Sequence, residues 1–379
     1  MRLTRWFLAV LVVAGCRPGV ARNGAPPSGD GGANSADPAA PELHAAELAL
    51  GREHACARTA EGDVVCWGAN DAGQLGDGTT IGRTSPVRVS GLDEVIEIAA
   101  GDRHTCARRR DATVRCWGAN AHAQLGDGTT IDRQAPVPVT DIFSVASIAA
   151  GGNRTCARKN DGFVRCWGEE VQGGAVKSPT PVFGLSETAE VAVAATHACV
   201  RADGHVRCWG ANNLRQLGVS RTESRGLPVT VPGLDDAAEL ALGRESSCAR
   251  AADGAMLCWG GGLVCVPGEP APGRRIAVKP ARTPGLEKVI AIAASGEDAC
   301  GATEGGSVLC IRPKSSDDRA CVAEKVPGLA RIIDVALGDG FGCARDASSA
   351  VRCWGKNDHG QLGDGSTRDA RDPVATRAP

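Results

Sequence analysis

The sequence predicts an all-β protein, a seven-repeat β-propeller whose blades are each stapled by one disulfide, and three observations predict it. Cysteines recur as seven pairs: Cys56 with Cys66, Cys106 with Cys116, Cys156 with Cys166, Cys199 with Cys208, Cys248 with Cys258, Cys300 with Cys310, and Cys343 with Cys353. First members of successive pairs stand 50, 50, 43, 49, 52 and 43 residues apart, a period in the range of propeller blades and above that of most helical solenoids. Between the pairs run short apolar stretches bounded by Gly, Asp and Pro, and no segment carries a helical period.

The chain begins with a positive stretch holding Arg2 and Arg5, followed by an apolar run from Trp6 to Ala14. That run is too short to span a bilayer as a mature helix, and residues 1–15 read as a signal peptide. Val13-Ala14-Gly15-Cys16 resembles a bacterial lipobox, which implies that Cys16 receives diacylglycerol and becomes the new N-terminus. With Cys16 lipidated, 16 of the 17 cysteines remain, an even number that can all pair. Several acyl chains on one residue anchor firmly. Arg17, rather than Asp, follows, which by enterobacterial sorting implies an outer-membrane lipoprotein. From Arg17 to about Ala45 the chain is Gly, Ala, Pro, Asn, Ser and Asp with almost no branched apolar residue. Such a composition buries too little surface to fold, so 16–45 is expected to be a flexible tether.

The propeller is assigned to 46–379. In the second repeat, 94–101 reads as one strand, 104–108 as the next, 113–118 as a third and 136–139 as a fourth. Pro136 and Pro138 suit an outer strand, since proline cannot donate to a central ladder. Cys106 and Cys116 flank a turn at Arg110-Asp111-Ala112, so an antiparallel hairpin sets them face to face at a bridgeable separation. Zinc sites usually space cysteines two to four residues apart, and no Cys-x-x-Cys occurs. Each disulfide closes a loop of roughly 10 residues, worth about 2–3 kcal/mol by loop-closure entropy. Hairpins closed covalently depend less on large rings, which accounts for aromatic residues at 3% and the absence of Tyr. Seventeen cysteines also point to an oxidising compartment. The ring is expected to close with the last strand, at Pro373-Val374, completing a blade beside the first, Glu47 to Leu50.

The stretch Trp67-Gly68-Ala69-Asn70-Asp71-Ala72-Gly73-Gln74-Leu75-Gly76-Asp77-Gly78-Thr79-Thr80 resembles the signature of the RCC1 (regulator of chromosome condensation) repeat, as does Ile98-Ala99-Ala100-Gly101 leading to His104. The signature recurs at 117–130 and 354–367 and more loosely at 209–218. Repeats three, five and six lack the Gly-Gln-Leu-Gly part, and repeat six has Ile311 in place of Trp. The resemblance spans about Glu47 to Val374 and implies a seven-bladed propeller, in agreement with the cysteine count, here in an exported, lipoprotein-type chain. The family's founding member is a nuclear exchange factor for a small GTPase, and no segment here matches its catalytic wedge. Another relative is a secreted propeller that inhibits β-lactamases, so the scaffold also serves as a binding surface.

Charge excludes one class of partner. The formal net charge is -2, and loss of Arg2 and Arg5 with the leader makes it more negative. That balance offers phosphates no basic field, and Arg108-Arg109-Arg110 falls in a hairpin turn, so no nucleic-acid partner is expected. Among the seven histidines, His54, His104 and His197 share one repeat position, two residues before the first Cys, which reads as framework. His122 and His359 fall in blade loops, His205 in a turn and His44 in the tether, none beside a nucleophile. The Gly-Asp-Gly strings around Asp77, Asp127 and Asp364 hold one carboxylate each, which fits turns better than calcium loops. No catalytic motif, metal site or cofactor site is read.

The most individual segments are two insertions, 260–284 and 312–327, holding Cys265 and Cys321. A Cys265–Cys321 disulfide across neighbouring blades would rigidify a surface bearing Arg274, Arg275, Arg312 and Lys314, and long loops on a rigid scaffold commonly carry binding. These readings lead to a monomeric, non-enzymatic module that binds a protein partner, displayed on the cell envelope and held to the membrane by its N-terminal lipid alone. Carbohydrate or cell-wall binding ranks below it, because the Trp residues are used in the repeat frame and only Phe such as Phe143, Phe163, Phe183 and Phe341 remain. A hydrolase with a loop-borne site and an exchange factor follow in that order.

Overall fold

The computed structural model describes residues 41–170, 173–261, 276–296, 298–311 and 323–379. They form seven four-stranded antiparallel sheets, and every sheet takes its strands in sequence order. Blade 1 comprises Glu47–Leu50, His54–Arg58, Val64–Gly68 and Arg83–Arg88, from the innermost strand outwards, and the other six repeat the plan. Blades 2 to 7 span 95–138, 145–181, 188–230, 237–282, 289–325 and 332–375. The prolines of the outer strands, Pro136 and Pro138 among them, lie at the sheet edge as the sequence predicts.

All seven predicted cysteine pairs are disulfides joining the second and third strands of a blade, with Cα–Cα separations of 4.0–4.1 Å. In each hairpin the two cysteines stand directly opposite in register, as Cys56 does to Cys66. The register holds where the repeat is least regular. In blade 4, whose hairpin is one residue shorter, Cys199 still faces and bonds Cys208. In blade 6, which lacks the Trp, Cys300 faces and bonds Cys310. Seven structural disulfides place the protein in an oxidising, extracytoplasmic compartment. Cys265 and Cys321 lie outside the described residues.

Strand alternation explains why Cys and Trp sit side by side in the third strand. Successive residues point to opposite faces, so each blade presents a disulfide on one face and, except in blade 6, Trp on the other. The core is the set of layers where these faces meet. Cys56 and Cys66 of blade 1 pack with Trp117 of blade 2, Cys106 and Cys116 with Trp167, and Cys156 with Trp209. Cys199 and Cys208 pack with Trp259, and Cys300 and Cys310 with Trp354. The pattern closes at Cys343 and Cys353 against Trp67 of blade 1. Ile311 takes the Trp position in blade 6 and packs on Cys248 and Cys258, so the layer survives with a smaller apolar group. A second belt joins the inner strands. Glu97 accepts from Arg108 of its own blade and, through its other oxygen, from the Ile148 N–H of blade 3; Glu190 and Glu239 repeat the arrangement.

Ring closure differs from the expectation. Ala370–Ala375 pairs with the third strand of blade 7, and Glu47–Leu50 is the inner strand of blade 1, so neither completes the other's sheet. Closure comes instead from residues 41–45, which composition assigns to the tether. Leu43 donates its N–H to the Thr376 carbonyl and accepts from the Val351 N–H, and its side chain is buried in the layer between blades 7 and 1. Leu286 accepts the Met256 N–H in the same way between blades 5 and 6. Residues 41–45 are thus the inter-blade linker of the last repeat, carried at the front of the chain. His44, assigned to the tether as well, bonds the Ser348 carbonyl through Nδ1 at 3.0 Å. A polar composition hides this because one leucine in the right register supplies the apolar contact.

Candidate functional site

The predicted binding residues Arg274, Arg275, Arg312 and Lys314, and the lipid-attachment residue Cys16, lie outside the described residues. The recurrent histidines form inter-blade framework. His54 Nε2 lies 2.9 Å from Thr105 Oγ1 of blade 2. Thr105 spends its proton on the Gln74 carbonyl at 3.0 Å, so it must accept from His54, whose ring is therefore the neutral Nε2–H form. The same Gln74 carbonyl accepts the Trp117 indole N–H at 2.9 Å. His104 repeats the device with Thr155, Gln124 and Trp167, and His197 with Ser247, Gln216 and Trp259. Burial pushes the His54 ring down to about 4, and His104 and His197 down to about 3. His54 is stacked so closely on a glycine that a methyl group on Gly51 would come within 2.1 Å of its Cε1. Blade 7 solves the same joint without polarity, with Phe341 over Gly338 and Ala55 of blade 1 where Thr105 stands in blade 2.

The Gly-Asp-Gly strings are turns. Asp77 accepts from the Thr79 N–H and hydroxyl with one oxygen and from Arg83 with the other, and Asn70 threads the loop by donating to Asp77 and to the Thr79 and Ile81 carbonyls. The Asn70 side-chain Oδ1 in turn accepts from the Leu75 N–H, which seats Leu75 in the inter-blade core. His205 opens the third strand of blade 4 and pairs with Asp235 at 2.9 Å.

Two of the concavities among the described residues lie where blades meet. One is the axial mouth, about 160 Å³, where the turns between first and second strands converge. There Asp339 N–H donates to the Arg52 carbonyl, Arg52 N–H to Asp102 and Asp102 N–H to Gly152, a partial girdle of backbone bonds. Arg52 also pairs with Asp339 at 3.4 Å. Burial raises the Asp102 carboxyl despite the Arg244 and Arg52 charges.

The other is a cleft of about 280 Å³ between blades 3 and 4. Its origin is a missing turn. Between the third and outer strands, blade 1 carries residues 69–82 and blade 3 only 170–174, so the Gln-Leu-Gly segment that caps the neighbouring Trp is gone. In the complete joints, Trp67, Trp117, Trp167 and Trp259 donate to Gln361, Gln74, Gln124 and Gln216. The following Leu362, Leu75, Leu125 and Leu217 are fully buried. The cleft occupies the corresponding space beside Trp209, floored by Cys166 and Val182. Its rim holds Phe183 and Leu227, which are 71% and 62% exposed. Arg154, standing where blade 1 has His54, turns to the Glu169 carbonyl of its own blade. The lost signature of repeat three is legible in the sequence; the cavity it leaves is not.

Models of the regulator of chromosome condensation (RCC1) repeat match residues 61–108, 111–158 and 203–250, and a second model of the same description matches 46–74, 95–124, 145–173 and 332–361. Among solved structures, yeast RCC1 (Prp20) in its complex with Kap60 is similar at 22% identity and a TM-score of 0.73, over 83% of this chain and 84% of that one. Human WBSCR16 is similar at 20% identity and 0.72, over 84% and 94%. The CRINKLY WD40 ectodomain of the Arabidopsis thaliana receptor kinase ACR4 is similar at 21% and 0.52, over 85% and 93%. At these identities the likeness to solved structures shows the fold alone. Taken with the repeat matches, which together cover more than half of the residues, it means that the chain belongs to the RCC1 repeat family.

Proposed function

We propose that the protein is an exported, non-enzymatic binding module, anchored in the cell envelope through lipidated Cys16, that engages a protein partner at the cleft between blades 3 and 4. The observation that carries this reading is the exposed apolar rim of Phe183 and Leu227 beside a concave, partly apolar floor. Exposed apolar side chains around a pocket mark interaction sites, because water is released when a partner covers them. The seven disulfide-closed hairpins favour such a role by holding the rim in one geometry, which lowers the ordering cost of association. Yeast RCC1, similar in fold, has been captured with a protein, Kap60.

The test is site-specific photocrosslinking in intact cells, with the photoreactive residue at 183, at 227, or at Ile131, which is 61% exposed on a blade 2 loop. Positions 183 and 227 are expected to yield the same discrete protein adduct, and position 131 none. Identical labelling from all three positions, or adducts from none, overturns the reading.

A further inference from the structure

We infer that the cleft between blades 3 and 4 is a receptor for a peptide turn of the partner that carries a leucine one residue after a free backbone carbonyl. The inference rests on the reading of that cleft as a protein-binding site and specifies what fills it. Its warrant is internal to the molecule, because other joints of the ring contain the missing occupant in place.

In the joint between blades 1 and 2, Leu75 packs with Cys56, Cys66, Val89 and Trp117. The register aligns Gly68 opposite Arg83 in blade 1 with Gly168 opposite Val176 in blade 3. On that alignment, Cys66 and Val89 correspond to Cys166 and Val182, and Trp117 of the next blade to Trp209. Those three line the cleft, so the cavity coincides with the seat of the leucine.

Two hydrogen-bonding groups flank that seat. Trp117 donates its indole N–H to the carbonyl of Gln74, the residue before the leucine. Blade 3 carries no such residue, and Trp209 lines the cleft instead. On the outer strand of the same blade as the Trp, the carbonyls of Gln134, Lys177 and Thr84 accept the N–H groups of Gly78, Gly128 and Gly365 from the preceding blade's turn. The register places Gly226 at the matching position of blade 4, and Gly226 lines the cleft. It bears no side chain to obstruct an incoming backbone, just as Gly73 approaches the Gln134 Cα closely in the filled joint. The cleft therefore offers an apolar hole, a donor and an acceptor in the arrangement that a Gln-Leu-Gly-Asp-Gly turn satisfies elsewhere in the same chain.

The experiment uses the full-length protein and a cyclised peptide of the chain's own residues 70–79, labelled for fluorescence anisotropy. Saturable binding is expected, weakened about tenfold or more when the peptide leucine becomes Asp. Trp209→Phe, which keeps an aromatic ring and removes the N–H, is expected to weaken it about threefold to tenfold. As a control that does not depend on a destabilising substitution, residues 69–82 are grafted in place of 169–175. The graft fills the seat from within and is expected to abolish peptide binding while holding or raising the melting temperature. Absence of saturable binding to the wild-type protein, or binding indifferent to the leucine and to the graft, overturns the inference. If the 183 and 227 crosslinks persist in that case, the protein-binding reading stands and only the turn is wrong; if they too are absent, both fall.

Discussion

Acidification from pH 7 to pH 5 is expected to weaken this propeller through three buried histidines, and the ring supplies its own control. In the unfolded chain a histidine titrates near 6.5, while burial holds His54 at about 4 and His104 and His197 at about 3 in the folded protein. Above pH 6.5 both states are neutral there and the rings cost nothing. As pH falls below that value the unfolded chain takes up protons that the folded chain refuses, so stability declines until the folded values are reached. At pH 5 each histidine contributes a loss of about 2 kcal/mol, or about 6 kcal/mol for the three, at roughly 1.4 kcal/mol per pH unit. His54→Phe with Thr105→Ala transplants the Phe341 and Ala55 solution of the joint between blades 7 and 1 into the joint between blades 1 and 2. The Gln74 carbonyl keeps the Trp117 N–H as its donor, so no buried acceptor is stranded. Urea unfolding with disulfides intact, at both pH values, is expected to show a pH-dependent loss smaller by about 2 kcal/mol in the double variant. Equal losses in the two proteins would refute the claim that His54 is held neutral by burial.

Two further outcomes follow from the closure of the ring and from the leader. Leu43→Ala is expected to destabilise the protein by about 2–5 kcal/mol in the same unfolding assay, the cost of emptying a buried leucine site, whereas a tether residue would cost nothing. Intact mass spectrometry of the protein from its native envelope is expected to show a diacylglyceryl-modified N-terminal Cys16. Reduction is expected to add about 14 Da from the seven blade disulfides and about 16 Da with Cys265 and Cys321 paired, two hydrogens per bridge; an unmodified N-terminus removes the lipid anchor.

Much of this architecture was legible in the sequence because its signals are local. A disulfide across a ten-residue hairpin loop needs only two strands and a turn, so the spacing of Cys106 and Cys116 predicts both the hairpin and its register. Adjacent Cys and Trp likewise predict opposite faces, from strand alternation alone. The framework histidines are recognisable from their shared position, whereas Phe341, grouped in the sequence with the Phe residues left free of the repeat frame, is buried in the core at the matching position of blade 7. Asp77 reads as a turn residue because its partners, Asn70, Thr79 and Arg83, are within seven positions.

The repeat, its strands, its disulfides and the number of blades are thus all products of interactions spanning some tens of residues. How the repeats meet is a property of the folded ring: the disulfide of one blade lies under the tryptophan of the next, Leu43 completes the linker of the last blade, and a shortened turn in repeat three opens a cleft onto Trp209 in repeat four. Each of these depends on groups from separate repeats sharing one layer, and in the case of Leu43 on residues some three hundred positions apart. Hydrophobic burial is indifferent to the order in which the chain supplies its surfaces, so the partners become visible only once the ring is closed.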